Sequence, residues 1–387
     1  MAATSTRRSD PLAQGFSLKD QLFNADSLGD LAAEYSAAIP GFDAEDFHTE
    51  VVAGLEGREL LERLEWIADC VEKRLAADFV TMAAQLEAAM PAPLDPTLRD
   101  DDFGRFIHAV PGILAVRHGL EAHRERALDL LHAATQRFSM EFYIRPFLNR
   151  WPEETMARLR RWAEDENYHV RRLVSEGTRP KLPWAKKIDL DPTEPLPLLD
   201  TLHADPTRYV TRSVANHLND IAKFAPDQVI SRLKEWQEAD RQDKRELDWM
   251  TRHGLRTLVK QGEPGALALL GYHQDAPVAV AELALAQDRL AIGETLDLSV
   301  VLETRGGAPV PVLVDYVITF HRPNGRQGRK VFKLKQGLVP AEGRLRLAKA
   351  HPLKGNATTF TLHPGPHRVA IQVNGKVMGE IGFELTS

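Results

Sequence analysis

The chain has 387 residues, 43% of them hydrophobic and 27% charged, an ordinary composition for globular protein that predicts two or three domains at about 100–200 residues each. No stretch approaches ~18 consecutive apolar residues, which excludes a membrane span, and Arg7 and Arg8 are not followed by the apolar core of a secretory signal. The single cysteine, Cys70, excludes a disulfide framework and a cysteine-rich zinc module and fits a reducing cytoplasm. The net charge of −6 is unevenly spread, with −11 over residues 1–100, +1 over 101–270 and +4 over 271–387. Its acidity is thus confined to one segment, and a polyanion partner elsewhere is permitted.

Residues 1–15 are assigned to a disordered N-terminal arm. From residue 16 onwards the pattern is helical. Leu55, Leu60, Leu64, Ile67, Val71 and Leu75 recur every three to five residues, as on an amphipathic helix, and place Cys70 among packing residues. Pro91, Pro93 and Pro96 interrupt the pattern, and a second Pro-rich loop lies between Arg179 and Pro197.

Inside this region an internal repeat stands out. Val170-Arg171-Arg172-Leu173, Val210-Thr211-Arg212-Ser213 and Met250-Thr251-Arg252-His253 lie forty residues apart, and Phe142-Tyr143-Ile144-Arg145 reads as an earlier copy. A period near forty with paired helices predicts a HEAT-like-repeat α-solenoid over 16–276. From about Ala279 the apolar period falls to two. Ala281–Leu285, Leu296–Leu302, Val314–Phe320, Val331–Leu334 and Val369–Val373 read as strands, separated by turns such as Gly306-Gly307 and Asn374-Gly375. They predict an immunoglobulin-like β-sandwich over 277–387.

Read in register, the repeats carry polar residues four apart: Arg172 and Glu176, Arg212 and Asn216 with Asp220 a turn on, and Arg252 and Arg256. In the earliest copy Glu141, Arg145 and Asn149 are spaced alike. Residues i and i+4 share a helix face, so each repeat presents a polar stripe to the solenoid groove. The arginines serve equally well as phosphate contacts or as a structural ladder between repeats, for which Asp165 and Arg171 have suitable spacing. Glu141 lies in an apolar run, and Glu176 lies beside Gly177 at a helix end; neither setting favours an ionised carboxylate. Trp184 follows a stiff basic loop, Arg179-Pro180-Lys181-Leu182-Pro183. Its ring can face a base or a cation, or it can plug the gap between repeats. No P-loop, GxGxxG, HExxH or GxSxG motif occurs, which favours a site without cofactor or metal.

The run from Arg171 to Trp184 resembles the signature of the AlkC branch of the AlkC/AlkD superfamily, HEAT-like-repeat alkylpurine DNA glycosylases. So do Tyr209–Ile221, Arg252–Tyr272, Ser17-Leu18-Lys19 and Phe42-Asp43-Ala44. A C-terminal immunoglobulin-like domain also occurs in some members.

The resemblance implies a glycosylase that releases cationic alkylated bases (3-methyladenine, 3-methylcytosine) from duplex DNA without flipping the base; the protein is expected to be monofunctional, monomeric and cytoplasmic. It implies that Glu141 and Glu176 are the catalytic carboxylates, with Trp184 contacting the lesion and Asp220 matching a further acidic position. Arg145, Arg172, Arg179, Lys181, Arg212, Asn216 and Arg252 are the expected DNA contacts. Basic residues Arg322, Arg326, Arg329 and Lys330 around Pro323-Asn324-Gly325 are expected to close over the duplex. The alternative is a non-catalytic HEAT-repeat scaffold that binds a protein or damaged DNA.

Overall fold

The computed structural model describes residues 17–304, 306–323, 327–355 and 361–387. The expected N-terminal arm, 1–15, and Asn324, Gly325 and Arg326 of the basic turn lie outside the described residues. The chain divides into two compact units at residues 217/218.

The first unit is helical. Its acidic segment forms Ala25–Ala38, Ala44–Ala53, Leu60–Glu72 and Phe79–Ala88. The helix Leu60–Glu72 buries Leu64, Ile67, Ala68, Cys70 and Val71, and burial pushes the Cys70 thiol up to about 11. Leu55 and Leu75 continue the spacing in sequence but fall outside this helix. Much of the acidic charge on it is answered by Arg117, which pairs with Glu65, Asp69 and Glu72 at 2.5, 2.7 and 2.8 Å.

Beyond Arg124–Thr135 and Ile144–Arg150 come the helix pairs that the forty-residue period predicts. Pro152–Trp162 is followed by Tyr168–Gly177, and Leu196–Leu202 by Arg208–Ile221. Pro opens Pro152–Trp162, where its missing N–H costs nothing. The Asn167 side chain caps Tyr168–Gly177 by accepting from His169 N. A ladder between repeats exists, but one step on from the expected pair. Arg171 Nε donates to Asp205 Oδ2 of the next repeat at 2.6 Å and Nη1 donates to the Asp165 carbonyl. The Asp165 carboxylate instead meets His132.

The second unit begins within Arg208–Ile221 and continues with Pro226–Ala239, Lys244–Gly254, Arg256–Gln261 and Pro264–Leu269. The last repeat is broken at Leu255, which has φ −92° and ψ 0°. The β-domain follows: β1 (Val278–Leu285), β2 (Arg289–Ala291), β3 (Thr295–Thr304), β4 (Val310–Phe320), β5 (Gly328–Val339), β6 (Arg344–Pro352), β7 (Gly365–Val373) and β8 (Lys376–Thr386).

A sheet of order β1-β3-β6 faces one of order β2-β8-β7-β4-β5. Along β4 the side chains alternate as the pleat requires. Val312, Val314, Tyr316, Ile318 and Phe320 enter the sandwich core. Leu313, on the opposite face, packs with Leu267 and Tyr272 of the helical segment. Asn374 Nδ2 donates to the His273 carbonyl at 2.8 Å, and Gly375 approaches Gly262 so closely that a Cβ on it would meet Gly262 O at 2.7 Å. The last helices and the sandwich therefore share a packed face inside this unit.

Candidate functional site

Three pieces of the first unit converge: the turn Ser139–Tyr143, the helix Tyr168–Gly177, and the first turns of the helix that begins at Arg208. Arg172 joins them. Its Nη1 donates to Ser139 Oγ at 2.7 Å and to Glu141 Oε2, while Ser139 Oγ also donates to Glu141 Oε2 at 2.8 Å. The guanidinium lies over the Tyr209 ring, 4.9 Å from its centroid, and its Nη2 is 3.6 Å from Glu176 Oε2. Burial alone would weaken its proton affinity, but the carboxylates of Glu141 and Glu176 raise it well above the ordinary arginine value.

Glu176 is 5% exposed. Arg179 Nη1 donates to its Oε1 at 2.5 Å, and Ser213 Oγ donates to its Oε2 at 2.6 Å, itself 2.9 Å from Ser175 Oγ. Burial would push the Glu176 carboxyl up; Arg172, Arg179 and the Ser213 hydroxyl outweigh it and hold the group below the usual carboxylate range. An ionised carboxylate thus persists in a dry setting because every partner is charged or donates. The last helical position, Gly177, packs against Ile144 so closely that a Cβ would lie 2.5 Å from Ile144 Cγ2.

Trp184 sits on the loop that follows, 68% exposed and with φ +63°, a conformation costly for a bulky residue unless its surroundings impose it. The loop around it is tethered by the helix Ile144–Arg150. Arg145 is 1% exposed and donates from Nε to the Lys186 carbonyl at 2.6 Å, and from Nη1 to the carbonyls of Gly177 and Arg179 at 3.1 and 2.8 Å. One turn on, Asn149 donates to the Lys187 carbonyl and accepts from Asp189 N, both at 2.9 Å. Leu182 and Ile188 are buried beneath the loop.

The ring of Trp184, with Glu141, Arg172, Tyr209, Phe103 and Phe142, lines a cavity of about 310 Å³. Its walls are mostly apolar, and Glu141 is the carboxylate among its lining residues. Trp184 also borders a second cavity, of about 270 Å³, beside Tyr143 and Arg117.

The structure therefore brings Glu141, Arg172, Glu176, Arg179 and Trp184 together. Arg145 is turned to a different task from the expected phosphate contact: its guanidinium is enclosed and spent on the carbonyls of the Trp184 loop, and burial with the neighbouring Arg179 charge lowers it to about 10. Arg212 pairs with Asp100 at 2.8 Å and Asp101 at 3.2 Å. Lys181 is exposed on the loop, and Asn216 is half-buried. Asp220 belongs to the second unit, buried and paired with Lys223 at 3.0 Å; Arg252 is in that unit too, exposed beside a separate cavity.

Sequence reasoning missed Ser213, Ser175, Tyr209 and the phenylalanines. Ser213 follows Arg212 in the repeat, so its position was in view, but its reach to Glu176 depends on how neighbouring repeats stack. Among the described residues no group of three His, Cys, Asp or Glu side chains is placed to hold a metal ion, and no helix is long and apolar enough to cross a membrane.

Residues 279–387 match the family model described as the C-terminal Ig-like domain of uncharacterised protein YhaZ. The chain is 35% identical over 272 residues to uncharacterized protein YhaZ of Bacillus subtilis (strain 168), covering 70% of this chain and 74% of that protein. Among solved structures it is similar to the Pseudomonas fluorescens alkylpurine DNA glycosylase AlkC, bound there to DNA containing an abasic site analog. The TM-score is 0.82 at 33% identity, over 96% of this chain and 100% of that one. With a HEAT-like helical region and an immunoglobulin-like domain related in both sequence and fold, the chain belongs to the AlkC-like branch of the HEAT-like-repeat family, alongside YhaZ.

Proposed function

We propose that the protein is a DNA glycosylase that hydrolyses the N-glycosidic bond of cationic alkylated bases, 3-methyladenine and 3-methylcytosine, in duplex DNA. The observation that carries this reading is one aromatic cavity shared by a carboxylate, Glu141, a half-buried arginine, Arg172, and an exposed tryptophan, Trp184. They sit in a chain alike over almost its full length to an alkylpurine DNA glycosylase.

The chemistry follows from the lesion. A base made cationic by alkylation departs as a neutral molecule, taking the electron pair of the C1′–N bond, so no strong general acid is needed. The sugar is left as a developing oxocarbenium ion, and water must add to C1′ and lose a proton. Glu141, on the cavity wall, stabilises that cation and receives the proton. Glu176 acts as the second carboxylate, held ionised behind Arg172. The two carboxylates balance Arg172 and Arg179, so a cationic lesion is not repelled. The indole of Trp184 adds roughly 0.5–2 kcal/mol of cation–π attraction. An exposed Trp held outward on a tethered loop suits contact with a nucleotide left in the duplex, and Lys181 beside it suits a phosphate.

The test is chromatographic detection of free base from duplex DNA. The reading expects release of 3-methyladenine or 3-methylcytosine, and no release of uracil or hypoxanthine, neutral bases whose departure needs protonation. Failure to release either methylated base, or equal release of the neutral ones, would overturn it.

A further inference from the structure

The second unit holds a cavity of about 340 Å³ where the last helices meet the outer face of the five-stranded sheet. Its size falls within the ~300–1,000 Å³ range of small-molecule sites. Four cations stand around it. Arg252, Arg256 and Lys260, spaced four apart, come from the helical side, and Lys333 comes from β5. The floor is apolar, with Leu313, Val331, Val259 and Leu270. Lys333 Nζ donates to Gln336 Oε1 at 3.1 Å, and Gln336 in turn donates to the Tyr272 hydroxyl, so one wall is a fixed polar chain.

Asp315 is the residue that folding alone does not explain. It is 6% exposed and lines the cavity, yet no described residue donates a hydrogen bond to its carboxylate or lies within ion-pair distance of it. Its carboxylate opens on the cavity, so the donor it lacks within the protein has to come from water or from a ligand there. Burial pushes the carboxyl up to about 6, although the charges of Lys333 and Lys260 act to lower it. A register shift between β4 and β5 falls between Val314 and Asp315, leaving Asp315 opposite Lys333. Irregularities of this kind re-aim side chains at functional places.

We propose that this cavity binds a nucleotide unit: its phosphate is held by Arg252, Arg256, Lys260 and Lys333, and a hydroxyl or amino group of its sugar or base donates to Asp315. Four cations supply the anion site, the apolar floor accommodates a sugar or base, and Asp315 disfavours a bare anion while rewarding a ligand that also brings a donor. The unit comes either from a free nucleotide or from a DNA strand. The site shares no residue with the Glu141 cavity, so it stands or falls independently of the glycosylase reading.

The experiment is calorimetric titration of the full chain with AMP, with inorganic phosphate and with an undamaged duplex oligonucleotide. Wild type is compared with Lys333→Glu, Asp315→Asn and, as a charge control on β6, Lys349→Glu; a thermal melt checks folding of each. The proposal expects AMP to bind at least tenfold tighter than phosphate. Lys333→Glu is expected to weaken AMP at least tenfold while Lys349→Glu leaves it unchanged, and Asp315→Asn to tighten phosphate while weakening AMP. Duplex that displaces AMP identifies a strand as the source; duplex that leaves AMP bound identifies a free nucleotide. AMP binding no tighter than phosphate, or Lys333→Glu altering neither AMP nor duplex binding in a folded protein, would overturn it.

Discussion

At the residue scale, half-buried Arg172 and buried Glu176 are where stability meets the proposed chemistry. Glu176 is held below the usual carboxylate range, so its contribution to stability is complete above the carboxyl value of the unfolded chain, near 4.5. That contribution is lost as pH falls through the lower folded value. The wild-type melting temperature should drop as pH is taken from about 5 towards 3, and Glu176→Gln should flatten that dependence. A variant with the unchanged acid profile would remove Glu176 from the titrating groups that matter.

At neutral pH the same variant leaves Arg172 and Arg179 facing a neutral amide, with an expected loss on the order of 3 kcal/mol. Asp315 has the opposite sign. Its folded value, about 6, lies above the unfolded 3.8, so its contribution is favourable below 3.8 and fades as pH rises through 6. Asp315→Asn should therefore stabilise the ligand-free protein at pH 7 by on the order of 2 kcal/mol. A melt showing destabilisation at that pH would contradict this.

At the element scale, the helix Ile144–Arg150 and the loop it grips form one device. Arg145 and Asn149 together meet the backbone of residues 177, 179, 186, 187 and 189. Asn149→Ala removes two of these bonds at little cost to the core. It should speed tryptic cleavage at Lys186 or Lys187 several-fold while leaving the global melt within about 1 kcal/mol. Unchanged cleavage would show that the loop is held by Arg145 and the buried Leu182 and Ile188 alone.

This device also marks the limit of what a sequence yields. The i, i+4 spacing of Glu141, Arg145 and Asn149 was legible, as was the isolation of Trp184 on its loop. Spacing could not reveal that a loop forty residues on covers Arg145 and Asn149 while leaving Glu141 beside a cavity. The repeats were legible because a helical period copied at forty residues is a strong signal. Ser213 was not, because its bond to Glu176 is made between repeats. In the β-domain, β3 and β4 announce themselves with buried alternating runs. β8, Lys376–Thr386, was missed because Gly379 and Gly382 dilute the period-two signal; β6, Arg344–Pro352, was missed although Arg344-Leu345-Arg346-Leu347 alternates.

At the scale of the whole molecule, the change in sequence pattern near residue 277 is not where compactness divides the chain. The helices after 217 group with the sandwich, because Leu267 and Tyr272 pack on Leu313 and His273 is tied to Asn374. Removing residues 278–387 strips a face from those helices, so the truncated chain should melt well below the full one and aggregate more readily. An unchanged melt would show that this face contributes little. The immunoglobulin-like domain is thus part of the support of the last repeats, and loss of activity on truncation would not by itself identify a DNA contact.

The Glu141 cavity is the proposed seat of base release. The most direct measurement is single-turnover release of 3-methyladenine from duplex DNA by wild type and Glu141→Gln, with DNA affinity measured on the same proteins. Wild type should release the base, with release slowed at least ~10²-fold in the variant and affinity within about threefold. Release unchanged in a folded Glu141→Gln would contradict that assignment, as would loss of binding and release in equal measure.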